Sequence, residues 1–147
     1  MSKFIAILED NAERIGAMSI VLDRAFPGYS RVTCNNAPDF IAWLRIHLVD
    51  TVLICLDHDL GPNHERAGEV FDPGIGRDVA DYLGTQPAVC PVVVHSSNVM
   101  AVPGMLRVLQ DAGWTCSAVV PSDDVGWIAS EWFREIKGLR ERGLIYG

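Results

Sequence analysis

Apolar runs alternate with helix-period segments from the start of the chain to its end. FIAIL (4–8) has the length and composition of a strand. Asn11 to Ala25 then places Ile15, Met18, Val21 and Leu22 on one helical face, with Asn11 suited to the N-cap. A short strand is expected at Ser30–Cys34. A helix opened by Ala37-Pro38 follows, with Phe40, Ile41, Leu44 and Leu48 at helical spacing. TVLICL (51–56) is β-rich and apolar throughout, as befits a central strand covered on both faces. From Asp57 to Gly76 the chain reads as a loop, punctuated by Gly61-Pro62, Asp72-Pro73-Gly74 and Gly76. Next come a helix over Arg77–Leu83, a strand VCPVVV (89–94), a helix over Pro103–Ala112 and a weak strand at Ser117–Val120. The last amphipathic helix is expected over Asp124–Arg142, capped by Ser122 or Asp123.

Five strand–helix units in series predict an α/β fold: one doubly wound, five-stranded parallel sheet in the order 2-1-3-4-5, with helices on both faces. No linker or repeat divides residues 1–147, so one domain is expected. Ligands of such sheets bind beyond the carboxyl ends of the strands, where strand order reverses. Three polar clusters should therefore converge: Glu9-Asp10, Asp57-His58-Asp59 and His95-Ser96-Ser97-Asn98.

Composition narrows the chemistry. With 12 basic and 19 acidic residues the net charge is −7, which argues against gripping a nucleic-acid duplex through its backbone. A small phosphorylated ligand stays compatible if a cation offsets the local carboxylates. The four cysteines lack metal or redox spacing and read as small apolar residues of a reducing compartment. No apolar run approaches the ~20 residues of a membrane span, so a cytoplasmic chain without membrane contact is expected.

Glu9 and Asp10 taken alone would suit a helix N-terminus. Together with Asp57 on the neighbouring strand they form a set of carboxylates that repel one another, and a hard divalent cation, Mg²⁺ or Mn²⁺, is the usual remedy. Asp57 and Asp59 share one side of an extended chain, so Asp59 either supports that cation or opens a turn with Gly61. His58, between two acids, suits a general acid, or else simply hydrogen-bonds across the loop. His95, Ser96 and Asn98 add an acid–base group, a hydroxyl and an amide, although His95 could instead be a satisfied core histidine and Ser97 or Asn98 could cap the next helix. His47 reads as a surface or packing residue and His64 as part of a polar loop beside the site. Arg66 and Arg77 could reach an anion, but surface ion pairing accounts for both. Gly74-Ile75-Gly76 is too weak a pattern for a phosphate loop.

These motifs resemble response-regulator receiver domains over nearly the whole chain. The resemblance makes Glu9 and Asp10 metal-binding acids, Asp57 a phosphoacceptor and Ser96 the hydroxyl residue. It breaks where receivers carry a Lys before Pro at the end of the fifth strand: this chain has Val120-Pro121, and Lys137 lies well inside the last helix. LDHDLG, DPGIGRDVADYL and VVVHSSNVMAVPGML together resemble the cyclic-phosphate processing receiver-like family. That resemblance implies a metal-dependent phosphoesterase acting on a cyclic phosphate of a nucleotide or RNA end. Glu9, Asp10, Asp57 and Asp59 would hold the cation, His95 and His58 would exchange protons, and Ser96 and Asn98 would donate to phosphoryl oxygens. Two alternatives remain open, a stand-alone receiver phosphorylated on Asp57 and an inactive binding module.

Overall fold

The computed structural model describes residues 2–122 and 124–146. β1 (Phe4–Leu8), α1 (Ala12–Ala25), β2 (Ser30–Cys34), α2 (Ala37–His47) and β3 (Thr51–Leu56) follow the expected boundaries closely. The N-caps explain the sharp helix starts: Asn11 Oδ1 accepts from the Arg14 N–H at 3.0 Å, and Asn36 Oδ1 from the Asp39 N–H at 2.8 Å. A one-turn 3₁₀ helix, Leu48–Asp50, ends the α2 segment before β3.

The segment expected to be a loop contains a hairpin, β4 (His64–Arg66) and β5 (Glu69–Phe71), paired antiparallel. Its two-residue turn, Ala67-Gly68, has positive φ at both positions (53° and 81°), as a tight hairpin turn requires. α3 (Gly76–Leu83), β6 (Val92–His95), α4 (Val102–Asp111) and β7 (Cys116–Val119) complete the alternation. β6 starts three residues later than VCPVVV implies. Pro91 brings no N–H to the ladder, and Val89 is 41% exposed, so the sheet begins beyond them. The last helix opens with a π-helical stretch, Ile128–Trp132, before α5 (Phe133–Glu141). Of the caps expected for it, Asp123 lies outside the described residues; Asp124 Oδ1 accepts from the Gly126 N–H at 2.8 Å.

The main sheet is parallel throughout, in the order β2-β1-β3-β6-β7, which is 2-1-3-4-5 among its own strands. Alternation along the strands divides the core. Ile5, Ile7, Leu53, Cys55 and Val93 face α1 and the π/α5 helix, while Ala6, Leu8, Ile54, Leu56, Val92 and Val94 face α2, α3 and α4. All six residues of β3 are buried, as expected of the central strand. Of the cysteines, all free thiols, only Cys55 is fully buried; the other three are half-buried. Among the described residues no helix is long and apolar enough to cross a membrane.

Candidate functional site

The register of the three central strands fixes the site. Leu8 pairs with Leu56 and Leu56 with Val94, so the next residues, Glu9, Asp57 and His95, stand side by side. They share the parity of Ile7, Cys55 and Val93, so all three turn to the face covered by α1 and Trp127. Each offers a ligand atom, and these atoms lie within 4.8 Å of one another. Glu9 and His95 are fully buried and Asp57 is 5% exposed.

Hydrogen bonds hold this centre rigidly. Glu9 Oε2 accepts from the backbone N–H groups of Asp10 (2.9 Å) and Asn11 (3.0 Å), while Glu9 Oε1 meets His95 Nε2 at 3.2 Å. Asp57 Oδ1 accepts from the His58 N–H at 2.7 Å. His95 stacks on Trp127, with centroids 6.0 Å apart, and its Nδ1 is buried with no partner among the described residues.

Arg14 was not foreseen in the sequence. Its Nη1 lies 3.5 Å from Glu9 Oε1 and 3.7 Å from Asp57 Oδ2, with the guanidinium 5.5 Å from the centre of the Trp127 ring. The signal was its place in the first turn of a helix capped by Asn11, directly after the acidic pair.

The two central carboxyls are driven apart. Burial pushes Glu9 up, but the hydrogen bond and charge of His95, the Asn11 N–H and Arg14 outweigh it and hold Glu9 at about 2. For Asp57, burial and then the charge of Glu9 dominate; the His58 N–H and Arg14 compensate only partly, and its carboxyl is pushed up to about 8. Asp10 is also raised, by burial and by the neighbouring Glu9 charge.

The remaining candidates form a rim. Asp10 has the opposite parity to Glu9 and lies outside the mutual 4.8 Å group; it lines a separate cleft beside the hairpin. Asp59, too, is outside that group and exposed, because the chain has already turned and Asp59 bridges to Ile75. Of the four carboxylates expected to hold a cation, Glu9 and Asp57 lie in the mutual 4.8 Å group together with His95, while, beyond burial, the charge of Glu9 raises Asp10 and that of Asp10 raises Asp57. His58 Nδ1 lies 3.1 Å from Asp59 Oδ1, and Asn98 Nδ2 donates to the Asp59 carboxylate at 3.3 and 3.4 Å. Asn98 Oδ1 accepts from the N–H groups of Met100 and Ala101, so Asn98 caps the turn into α4. Ser96 is buried, and its Oγ accepts from the Asn98 N–H at 3.1 Å, leaving its own proton for a ligand.

Gly76 joins the loops. Its N–H donates to the His58 carbonyl at 2.8 Å, and a Cβ there would collide with the Asp57 carbonyl oxygen. Arg77 pairs with Asp81 and Arg66 with Asp39, while His47 stacks on Trp43.

The donor set fits a divalent cation. Two carboxylates and an imidazole converge, and burial together with the charge of Glu9 raises the Asp57 carboxyl to about 8, a repulsion that a cation would relieve. A mixed oxygen–nitrogen set suits Mn²⁺ better than Mg²⁺.

Fold and strand-end acids define the class: a receiver domain of the response-regulator type. The model of the Cyclic-phosphate processing Receiver domain family matches residues 6–111, and the chain belongs to that family. Similar solved structures include response regulators and receiver domains. The phosphorylated cyanobacterial phytochrome response regulator RcpA shares 22% identity over 96% of this chain and 93% of its own, with a TM-score of 0.65. The Mn²⁺-bound form of response regulator Rcp1 shares 17% over 97% and 94%, with a TM-score of 0.63. A receiver domain from Rhodospirillum rubrum shares 13% over 98% and 99%, with a TM-score of 0.64. Among curated proteins no match is found.

Proposed function

We propose that this chain is a divalent-metal-dependent phosphoesterase that opens a cyclic phosphate of a nucleotide or RNA end. The observation that carries the reading is the buried Glu9–Asp57–His95 group, whose ligand atoms lie within 4.8 Å of one another. A cation held there by these three side chains would supply Lewis-acid polarisation of the phosphoryl group and a more acidic attacking water. His95 is enclosed and tied to Glu9, so it holds the centre. The proton-transfer role falls to His58, whose Nδ1 is oriented by Asp59 at 3.1 Å at the rim. Ser96 Oγ–H and the Arg14 guanidinium stabilise the phosphoryl oxygens as charge builds there, Arg14 supplying the fixed positive charge that Val120 does not. Water forms one P–O bond and gives up a proton, the ring P–O ester bond breaks, and His58 passes that proton to the departing alkoxide. The product is a phosphate monoester. The ligand is small, and a cytoplasmic setting suits both it and the free thiols.

One observation favours a second reading, a receiver phosphorylated on Asp57. Asp57 ends the central strand with the Ser96 hydroxyl closing the next one. ³¹P NMR of nucleoside 2′,3′-cyclic phosphates with Mn²⁺ separates the two. Phosphoesterase activity predicts replacement of the cyclic resonance by a monoester resonance, lost in Asp57→Asn. Stable labelling of Asp57 by a small phosphodonor, with every cyclic phosphate untouched, would select the receiver.

A further inference from the structure

The β4–β5 hairpin adds nothing to the main sheet, yet it is anchored firmly beside it. Arg66 reaches Asp39 of α2 through Nη2 at 2.6 Å and Nη1 at 3.5 Å, and the Ala37 N–H donates to the Pro73 carbonyl at 2.7 Å. Between the hairpin and the ends of β1 and β2 lies a polar cleft of about 250 Å³, lined by Asp10, Asn35, His64, Glu65, Arg66 and Phe71. Asp10 connects the cleft to the centre, since the charge of Glu9 bears on Asp10 and that of Asp10 on Asp57.

The cleft presents a flat, fixed cation. The Arg66 guanidinium lies 4.5 Å from the centre of the Phe71 ring while its edge is held by Asp39, and its side chain is still 55% exposed. His64, the cross-strand partner of Phe71, packs against that ring at 6.2 Å, and its Nε2 lies 3.1 Å from the Leu60 carbonyl. Asn35 Oδ1 accepts from Asn36 Nδ2 at 2.9 Å, which leaves the Asn35 amide donors to face a ligand. A planar guanidinium on an aromatic ring is a stacking platform for a nucleobase, and the neighbouring amide donors suit base carbonyls. Complete small-molecule sites occupy roughly 300–1,000 Å³, so this cleft suits one fragment whose phosphate lies outside it.

We infer that the cleft receives the base of a nucleoside 2′,3′-cyclic phosphate, free or at an RNA 3′ end, while its phosphate lies over Asp57 at the edge of the Glu9–Asp57–His95 centre. The inference rests on the phosphoesterase reading of that centre. Hairpin and strand ends thus divide the work: one selects the nucleoside, the other handles the phosphate.

Calorimetry on the full chain with Mg²⁺ tests this, using adenosine 2′,3′-cyclic phosphate against the base-free 1-O-methyl-ribose 2′,3′-cyclic phosphate. The nucleoside compound should bind at least about tenfold more tightly, in line with one stacked base. That ratio should collapse toward one in Arg66→Ala and fall partway in Arg66→Lys, which keeps the charge but not the plane. Thermal melting checks that both variants fold. Equal binding of the two compounds by the unaltered chain, or an unchanged ratio in both variants, overturns the inference while the phosphoesterase reading stands. Failure of both compounds to bind or be hydrolysed overturns both.

Discussion

Glu9, Asp57 and His95 come from the same three strand ends as Asp10, His58 and Ser96, yet the two sets meet opposite environments. The first set turns inward under α1 and Trp127, where, against the effect of burial, His95 and Arg14 hold Glu9 at about 2, while burial and the Glu9 charge push Asp57 up to about 8. The second set turns toward the loops, where His58, Asp59 and Asn98 bond to one another around an exposed carboxylate. One residue of register separates the enclosed Glu9–Asp57–His95 centre from a set whose His58 meets the exposed Asp59 carboxylate.

Removing the inward set should cost most. His95→Ala and Asp57→Asn are expected to lower turnover of a cyclic phosphate by on the order of 10²–10⁴-fold, the span associated with one essential group in general acid–base or electrostatic catalysis. Asn98→Ala should cost about tenfold or less, since Asn98 acts through Asp59 and the turn before α4. Equal losses in steady-state assays of the two groups would erase the distinction between centre and rim.

Gly76→Ala comes next, acting through the support beneath both groups. The added methyl meets the Asp57 carbonyl, so unfolding in urea should register a loss of about 3 kcal/mol or more. A loss within about 0.5 kcal/mol would mean that the 57–58 backbone is free to move.

The inward set also predicts a pH signature in metal-free protein. Asp57 holds its proton more tightly folded than unfolded, so its contribution is complete below its ordinary value of 3.8 and is lost as pH rises through about 8. Glu9 acts oppositely: its contribution is present above 4.5 and is lost as pH falls toward about 2. Melting temperatures should therefore fall between pH 5 and 8 in the metal-free chain. Asp57→Asn should flatten that fall and stabilise the protein at pH 8 by about 1–3 kcal/mol. Parallel curves for the two proteins would remove Asp57 from the account.

The smallest effect belongs to the hairpin. Ala67 sits at φ 53°, where a residue with a Cβ is strained by about 1 kcal/mol, so Ala67→Gly should relieve most of that. Slower amide exchange in residues 64–71 would register it.

The same parity explains what could be read from the chain beforehand. β3 and the alternation of strands and helices were legible because apolar runs and helical spacing report burial directly, and the convergence of three strand ends followed from topology. Counting by twos from Ile7, Cys55 and Val93 selects Glu9, Asp57 and His95, whereas Asp10 follows Glu9 with the opposite parity. The same count does not reach Asp59, because the chain leaves the strand direction after Asp57. The hairpin was hidden by its turn, since Ala-Gly lacks the Asn-Gly or Asp-Gly signature and its strands are three residues long. Arg14 was invisible because only the packing of α1 brings a first-turn side chain over two strand ends.

Mn²⁺ binding, followed by calorimetry in four proteins, tests the composition of the centre most directly. The unaltered chain and Asp10→Asn should both bind one ion, the variant within about tenfold in affinity, whereas Glu9→Gln and His95→Ala should lose at least about 100-fold. Loss of binding in Asp10→Asn together with full binding in His95→Ala would contradict the account and return the metal to the outward-facing acids.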